Sequence, residues 1–262
     1  MNLVVCLTQV PDTAARLKIA SDSQTIDSAG LSFVMNPYDE YALEEAVQIK
    51  EKVSGASVTV FSVGDGSFQP TIKKAFAMGA DHAILLEQST ADSFGVANIL
   101  ANAIRSHFDN LPDLIFLGKE ATDTNDAQVG AMLGELLQMP AVSVVTSFEL
   151  DGTSAKLERE IEAGTERLEV DLPLIVTAQK GLNMPRQTNM KAMMLAKKKK
   201  IDVMDLAALG TSPDEVGSAQ PKSEIVEFMK SETRQAGRKF EGDAADITAQ
   251  VVNLLANEAK VL

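Results

Sequence analysis

Short apolar runs alternate with amphipathic segments along the first 140 residues of this 262-residue chain. The run at residues 3–7 is continuous and apolar, which is typical of a strand buried on both faces. Further strand-like runs begin at Ala56, His82 and Asp113, and segments with helical periodicity separate them. This alternation predicts an α/β fold. We expect a mostly parallel, twisted sheet with helices on both faces, a Rossmann-like nucleotide-binding architecture.

The segments between the strands carry recognisable helix boundaries. Helices are expected over about 36–52, up to Met78, over 92–108 and over 126–137, and Gly79 suits the C-cap of the second. In open parallel sheets, ligands bind at the carboxyl ends of the strands, where the strand order reverses. Any ligand site is therefore expected in the loops that follow the strands.

The pattern changes in the second half of the chain. Apolar and polar residues alternate around the dipeptides at 151–152 and 163–164, which predicts an antiparallel hairpin region added to the sheet. We expect one α/β domain over residues 1–204 and a polar C-terminal arm over 205–262. The arm ends in an amphipathic helix near 244–259. Either this arm docks on another protein or it is a loose tail.

Composition narrows the possible functions. The formal net charge is −13, which disfavours nucleic-acid binding because the phosphate backbone would be repelled. Cys6 is the single cysteine, so no intrachain disulfide can form, and two histidines add too few ligands for a standard zinc site. No apolar run has the length of a membrane span, and no signal-peptide pattern occurs. We therefore expect a soluble protein of the cytoplasm without membrane insertion.

The segment LGKEATDTNDAQVGAMLGELL follows the fourth predicted strand directly. Its polar loop, 120–125, leads into a helix whose N-cap is expected at Asn125 or Asp126. The unpaired N–H groups in the first turn of a helix and the helix dipole both attract a phosphate. An ordinary capped helix is the alternative interpretation. The N–H groups expected to be free are those of Ala127, Gln128 and Val129.

Catalytic motifs are missing from the sequence. No nucleophile–base pattern stands out, and neither a GxGxxG fingerprint nor a P-loop occurs. A flavin reductase with its own NAD site would need such a fingerprint. We therefore expect a nucleotide-binding protein without a catalytic residue of its own.

Residues 190–202 read MKAMMLAKKKKID and combine three methionines with four consecutive lysines. One interpretation is an amphipathic helix whose methionines belong to the core. The other is a partner-binding surface, because methionine is flexible and polarisable and the lysines would form a solvated rim.

Five segments, taken together, resemble the β subunit of electron transfer flavoproteins. In chain order they are MNPYDEYALEEAVQIKE, AFAMGADHAILL, GKEATDTNDAQVG, REIEAGTERLEVDLPLIVTA and LNMPRQTNMKAMMLAKKKKI. Each segment is weak alone, but five in the family's order over nearly the whole chain are specific. The resemblance implies a heterodimer with a homologous α subunit, which holds most of an FAD. It also implies that the β subunit holds a structural AMP.

The resemblance further assigns roles to individual residues. Segment 183–200 would be the recognition loop for dehydrogenases, with Met190 in the position of the family's anchoring leucine. Thr13 and Glu160 would face the FAD-bearing domain. The docking surface would consist of Met190, Met193, Met194, Lys197 and Lys198. The AMP contacts would be Cys6, Asn36, Val63, Asp123, Asp126, Ala127, Gln128, Val129 and Gly130.

The implied function is electron carriage in fatty acid oxidation. Such a subunit helps to accept electrons from acyl-CoA and other flavin dehydrogenases and to pass them to a membrane quinone oxidoreductase. It is a carrier subunit and not an enzyme, and the terminal helix of its arm docks on the α subunit.

Two alternatives stay open at this point. The opening TQVPDT, with Thr13 where some relatives have a flavin-contacting tyrosine, resembles an electron-bifurcating branch with a second FAD in place of AMP. The loop TDTNDAQ departs from both common forms, and AMP is favoured. A stand-alone adenine-nucleotide-binding stress protein is the other alternative. A protein of that kind would need neither the predicted hairpin region, nor the segment 190–202, nor the C-terminal arm.

Overall fold

A nine-stranded sheet forms the centre of the molecule. The computed structural model describes residues 1–88, 92–207, 209–210, 212, 221–230 and 236–262, so parts of the predicted arm lie outside the described residues. The strands are β1 (Asn2–Cys6), β2 (Gln9–Pro11), β3 (Phe33–Met35), β4 (Ser57–Gly64), β5 (His82–Glu87), β6 (Leu114–Gly118), β7 (Ala141–Asp151), β8 (Ser154–Ile161), β9 (Gly164–Asp171), β10 (Leu174–Ala178) and β11 (Asp202–Met204).

The sheet is mostly parallel, as the alternation of strands and helices predicted. Its order is β11-β5-β4-β1-β6-β10-β7-β8-β9, and the pairs from β11 to β7 are all parallel. Strands β7, β8 and β9 pair antiparallel, which confirms the predicted hairpin region. Strands β2 and β3 form a separate antiparallel pair, which was not predicted from the sequence.

Helices cover both faces of the sheet. They are α1 (Pro37–Lys52), α2 (Gln69–Met78), α3 (Ser93–His107), α4 (Val129–Leu137), α5 (Met190–Lys198) and α6 (Ala244–Asn257). Residues of α1, α2 and α5 belong to the core on one face, and residues of α3 and α4 to the core on the other. No helix among the described residues is long and apolar enough to cross a membrane.

Local sequence explains where these helices begin and end. Asp92 precedes α3, and its side chain accepts a hydrogen bond from the Gly95 N–H at 2.8 Å, as an N-cap does. Gly79 ends α2 with φ +131°, a backbone conformation that would be strained in a residue with a side chain. Five apolar residues that recur along α1 at helical spacing are buried: Ala42, Leu43, Ala46, Val47 and Ile49.

The start of α4 differs from the prediction. The helix begins at Val129, not at 126 or 127, and its N-cap Gln128 makes no side-chain capping bond. Asn125 and Ala127 both have φ +53°, in the left-handed region, so neither residue can belong to a right-handed helix. The polar loop therefore runs on to Gln128, and the expected caps Asn125 and Asp126 lie inside it.

The described residues of the C-terminal arm lie largely in solvent. Helix α6 has no buried residue, and Val252 and Leu255 on it are exposed. The carboxylate of Asp92 holds the arm near α3, because it accepts hydrogen bonds from the backbone N–H groups of Lys222 and Ser223. Docking of α6 on another protein stays a prediction.

Candidate functional site

The carboxyl ends of three central strands meet where the strand order reverses. Strand β1 lies between β4 and β6, and Cys6 at its end is paired with Phe61 and Leu117. The chain builds β4 and β5 on one side of β1 and then crosses back to build β6 on the other. A reversal of this kind opens a crevice beside the carboxyl ends of the strands, which is the usual ligand site of such sheets. We call this region, with loop 119–128, the carboxyl edge.

Asp39 ties the two sides of this reversal together. Its side chain is buried, and its carboxylate accepts hydrogen bonds from the N–H of Thr8 at 2.7 Å and from the N–H of Gly118 at 2.8 Å. Burial raises the pKa of Asp39 to about 7, although both N–H groups favour the ionised form. The loops after β1 and β6 are therefore fixed relative to each other by one carboxylate.

Asp39 is not among the residues predicted for the site, although the sequence carries a signal for it. Ala42, Leu43 and Ala46 follow it at helical spacing of three, four and seven residues, and all three are buried. An acid on the apolar face of a helix is expected to have a specific partner.

Asn36 fixes the loop after β6 to the start of α1. Its side chain is buried, its amide nitrogen donates to the carbonyl oxygen of Glu120 at 2.8 Å, and its amide oxygen accepts from the N–H of Thr122 at 3.3 Å. Both polar atoms of this side chain are thus engaged within the protein. The structure gives Asn36 a loop-holding role, and direct contact with AMP stays a prediction.

Helix α4 lies close against the sheet through two glycines. A Cβ atom at Gly130 would collide with the side-chain methyl of Thr177, and one at Gly134 would lie 2.8 Å from the Cβ of Ala141. Helix geometry leaves the first N–H groups, those of residues 129–131, without partners inside the helix. They can bind an anion in place of the predicted set at 127–129.

The other predicted nucleotide contacts lie around the same edge. Cys6 is buried, and this burial raises the pKa of its thiol. The charge of Asp39 raises that pKa further, so the thiol is neutral. Val63 is half-buried near the end of β4. Asp123 and Asp126 are exposed in the loop, and Asp126 accepts a hydrogen bond from the hydroxyl of Ser93 at 2.9 Å. Such carboxylates repel a phosphate but can accept hydrogen bonds from ribose hydroxyls or an adenine amine.

Within the described ranges, no group of three or more His, Cys, Asp or Glu residues is arranged to hold a metal ion. The carboxyl edge therefore offers backbone N–H groups, buried hydrogen bonds and loop carboxylates. This set suits a nucleotide better than a metal.

The methionine-rich helix α5 presents two of its three methionines to solvent. Met190 is 81% exposed and Met194 is 64% exposed, while Met193 is half-buried. Only Ala196 of α5 is buried, and it packs in the same core as α2. The interpretation of this segment as a core helix is therefore wrong. Its helical character is correct, and its side chains form an exposed apolar surface.

The four lysines at 197–200 differ in their surroundings. Lys197 and Lys198 are exposed. The ammonium of Lys199 donates to the carbonyl oxygen of Ala80 at 2.7 Å and lies 5.0 Å from the ring centre of Phe76. Lys200 forms an ion pair with Asp202 at 2.6 Å. Lys199 and Lys200 thus have charge partners or hydrogen-bond acceptors within the chain, and the docking role of Lys197 and Lys198 stays a prediction.

Thr13 and Glu160 lie on the surface. Thr13 is exposed in a turn after β2. Glu160 is exposed on β8, where it accepts a hydrogen bond from the side-chain amide of Gln179 at 3.1 Å. Both residues are accessible to another protein, and their predicted contact with an FAD-bearing domain stays a prediction.

Comparison with known proteins identifies the family. The electron transfer flavoprotein domain matches residues 24–209. The chain is 35% identical to the electron transfer flavoprotein subunit beta of Bacillus subtilis, with all of both chains covered. It is 36% identical to that of Syntrophomonas wolfei, over 100% of this chain and 98% of the relative, and 35% identical to that of Mus musculus, over 92% and 93%. By domain match and full-length similarity, this chain belongs to the electron transfer flavoprotein β-subunit family.

Proposed function

We propose that this chain is the β subunit of a heterodimeric electron transfer flavoprotein, partnered by an α subunit that holds most of an FAD. The pair accepts electrons from acyl-CoA and other flavin dehydrogenases and passes them to a membrane quinone oxidoreductase. The similarity of the whole chain to proteins named as β subunits supports this role. The β subunit itself neither breaks nor forms a covalent bond in a substrate. It supplies cofactor placement and docking geometry.

A structural AMP at the carboxyl edge is the second part of the proposal. Its phosphate would bind the first N–H groups of α4, where the helix dipole also favours negative charge. The Asp123 carboxylate would accept hydrogen bonds from the ribose or the base. The neutral thiol of Cys6 and the apolar Val63 would lie beside the nucleotide without adding charge.

The third part is dehydrogenase docking through Met190, and the observation that carries it is the exposure of this side chain. Met190 is 81% exposed at the start of a helix whose other end is seated by Ala196. An apolar tip on a firmly seated helix suits a small anchor that enters a partner's pocket. Lys197 and Lys198 would add a charged rim that steers an acidic partner.

Met190→Asp tests this docking role. The variant is expected to slow electron transfer from the dehydrogenase roughly tenfold or more, because a charge would have to be buried in the partner's apolar pocket. The heterodimer should stay folded and keep its nucleotide. Stopped-flow reduction of the flavin at several dehydrogenase concentrations measures the effect.

Met184→Asp is the matched control, since Met184 lies on the same segment and is 86% exposed. It is expected to change the rate much less. Equal rates for the wild type and Met190→Asp would contradict the anchor assignment, and equal losses in both variants would contradict its specificity.

A second candidate is a bifurcating β subunit with a second FAD in place of AMP, which the opening TQVPDT favours. Extraction of the purified heterodimer and a count of flavin and adenylate distinguish the two. One FAD and one AMP per heterodimer are expected. Two FAD and no AMP would favour the bifurcating subunit, and a stable monomer that binds ATP would favour the stand-alone nucleotide-binding protein.

A further inference from the structure

The docking segment, residues 183–200, is joined to α1 chiefly through Arg186. The chain from Asn183 to Asn189 leaves the sheet region and reaches α5 without regular structure. Within it, the Arg186 guanidinium donates to both carboxylate oxygens of Glu44, at 2.8 and 3.1 Å. It also donates to both carboxylate oxygens of Glu51, at 2.6 and 3.1 Å. The backbone N–H of Arg186 adds a bond to Glu44 at 3.1 Å.

This arrangement needs the planar fork of arginine. Glu44 and Glu51 lie seven residues apart, two turns along the same face of α1. One guanidinium engages both carboxylates in paired hydrogen bonds, a geometry that the ammonium of lysine cannot reproduce. Asn183 adds a second attachment, because its amide donates to the carbonyl oxygen of Tyr41 and to the carboxylate of Glu45, each at 2.9 Å.

Glu44 is a buried partner, not a surface one. Its side chain is 4% exposed, whereas that of Arg186 is 32% exposed. Burial alone would raise the pKa of Glu44, but hydrogen bonds from Arg186 and Gln48 lower it below its ordinary value. The hydrogen bonds from Arg186 therefore keep the buried carboxylate of Glu44 ionised.

The connection from this clamp to the docking tip is short. Only Gln187 and Thr188 separate Arg186 from Asn189, whose side chain caps α5 by accepting from the N–H of Ala192 at 2.9 Å. Two intervening residues allow little slack, at about 3.3–3.6 Å per extended residue. Met190 follows the cap directly, so its position depends on where Arg186 is held.

We propose that Arg186, clamped by Glu44 and Glu51, is the positioning residue that presents Met190 to the partner. The clamp orders the segment before any partner binds, which lowers the entropy lost on docking. Its consequence for electron transfer rests on the docking role proposed above, whereas its effect on the order of the segment does not.

Amide hydrogen exchange of the intact heterodimer tests the clamp without any dehydrogenase. The reporters are the N–H groups of Ala192 and Met193, which donate to the side chain and to the carbonyl of Asn189. In Arg186→Gln these amides are expected to exchange roughly tenfold faster, because the cap is no longer held. The matched control is Arg167→Gln, which breaks the exposed ion pair with Glu158 and should leave both amides unchanged.

A double variant separates positioning from simple charge neutralisation. Arg186→Gln alone leaves a buried, unpaired Glu44 and could unfold the chain, whereas Glu44→Gln with Arg186→Gln removes both charges. The double variant is expected to regain global stability while both amides still exchange fast. Restored protection at Ala192 and Met193 would overturn the proposal, as would unchanged protection in a folded Arg186→Gln variant.

Electron transfer by the same variants distinguishes the two proposals. With the clamp and the docking role both correct, the double variant should need a several-fold higher dehydrogenase concentration for half-maximal rate, with a near-normal maximal rate. Fast exchange with unchanged electron transfer would support the clamp and contradict docking through Met190.

Discussion

The two ends of α1 organise two surfaces with opposite designs. At its start, Asn36 and Asp39 are buried and direct their polar atoms to the loops of the carboxyl edge. Further along, Glu44 holds a segment whose apolar side chains point outward, with Met190 as its tip. A nucleotide site needs fixed backbone donors, whereas a transient docking site needs an accessible apolar group. The same helix therefore supports both surfaces, with buried polar side chains at the first and an exposed apolar side chain at the second.

The largest effect is expected from crowding the carboxyl edge. In Gly118→Val, the new Cβ would lie 2.5 Å from the carboxylate of Asp39 and 2.6 Å from the Cβ of Tyr38. Because Asp39 is fixed by two backbone bonds, we expect a loss of about 3 kcal/mol in the free energy of unfolding and loss of the bound nucleotide. Urea unfolding and adenylate content measure both.

Gly66→Ala is the control for this variant, because a Cβ there would meet open space. Its unfolding free energy should stay within about 0.5 kcal/mol of the wild type. A stable Gly118→Val variant with a full complement of nucleotide would show that the edge is less rigid than the Asp39 bridge implies.

A smaller effect is expected from the titration of Asp39. Its pKa rises from 3.8 to about 7 on folding, so the folded chain keeps a proton that the unfolded chain has lost. The stabilising contribution of this proton is present at low pH and is lost as the pH rises through about 7. Between pH 5 and 7, the free energy of unfolding should fall by about 2 kcal/mol from this group.

Asp39→Asn is expected to lack this component of the pH dependence. Urea unfolding of both proteins at pH 5, 6 and 7 measures the difference between them. Parallel pH profiles for the wild type and the variant would rule out Asp39 as the titrating group.

The smallest stability effect is expected at the docking end. Met190→Asp should change the free energy of unfolding by less than about 0.5 kcal/mol, since the side chain is already in solvent. The comparison is sharpest here, because this variant should impair docking while Gly118→Val impairs folding. A large loss of stability in Met190→Asp would mean that the methionine is buried in the assembled protein.

Much of the fold could be predicted from the sequence. Strand β5 covers the predicted run HAILLE, and the apolar positions of α1 lie in the core as expected. Strand β11 was not anticipated, because a three-residue strand is too short to carry periodicity. The predicted start of α4 was wrong because Ala127 has a left-handed backbone conformation, which alanine rarely adopts.

The candidate sites could be predicted only in part. Gly118 and Gly130 lie at the carboxyl edge, where the order of strands and loops placed them. The partner of Arg186 could not be predicted, since Glu44 lies 142 residues away along the chain. The exposure of Met190 could not be derived from composition either, because methionine serves both cores and binding surfaces.

By itself, the sequence determined the α/β architecture, the hairpin region and the sheet edge at which a nucleotide site is proposed. It could do so because period, turn chemistry and strand order are local properties that survive without knowledge of contacts. Tertiary structure alone decided that Asp39 bridges two loops, that Ala196 and not Met190 seats α5, and that Arg186 binds Glu44 and Glu51 of α1. Those facts depend on which distant surfaces meet, and a hydrogen bond or a buried face exists only once they have met.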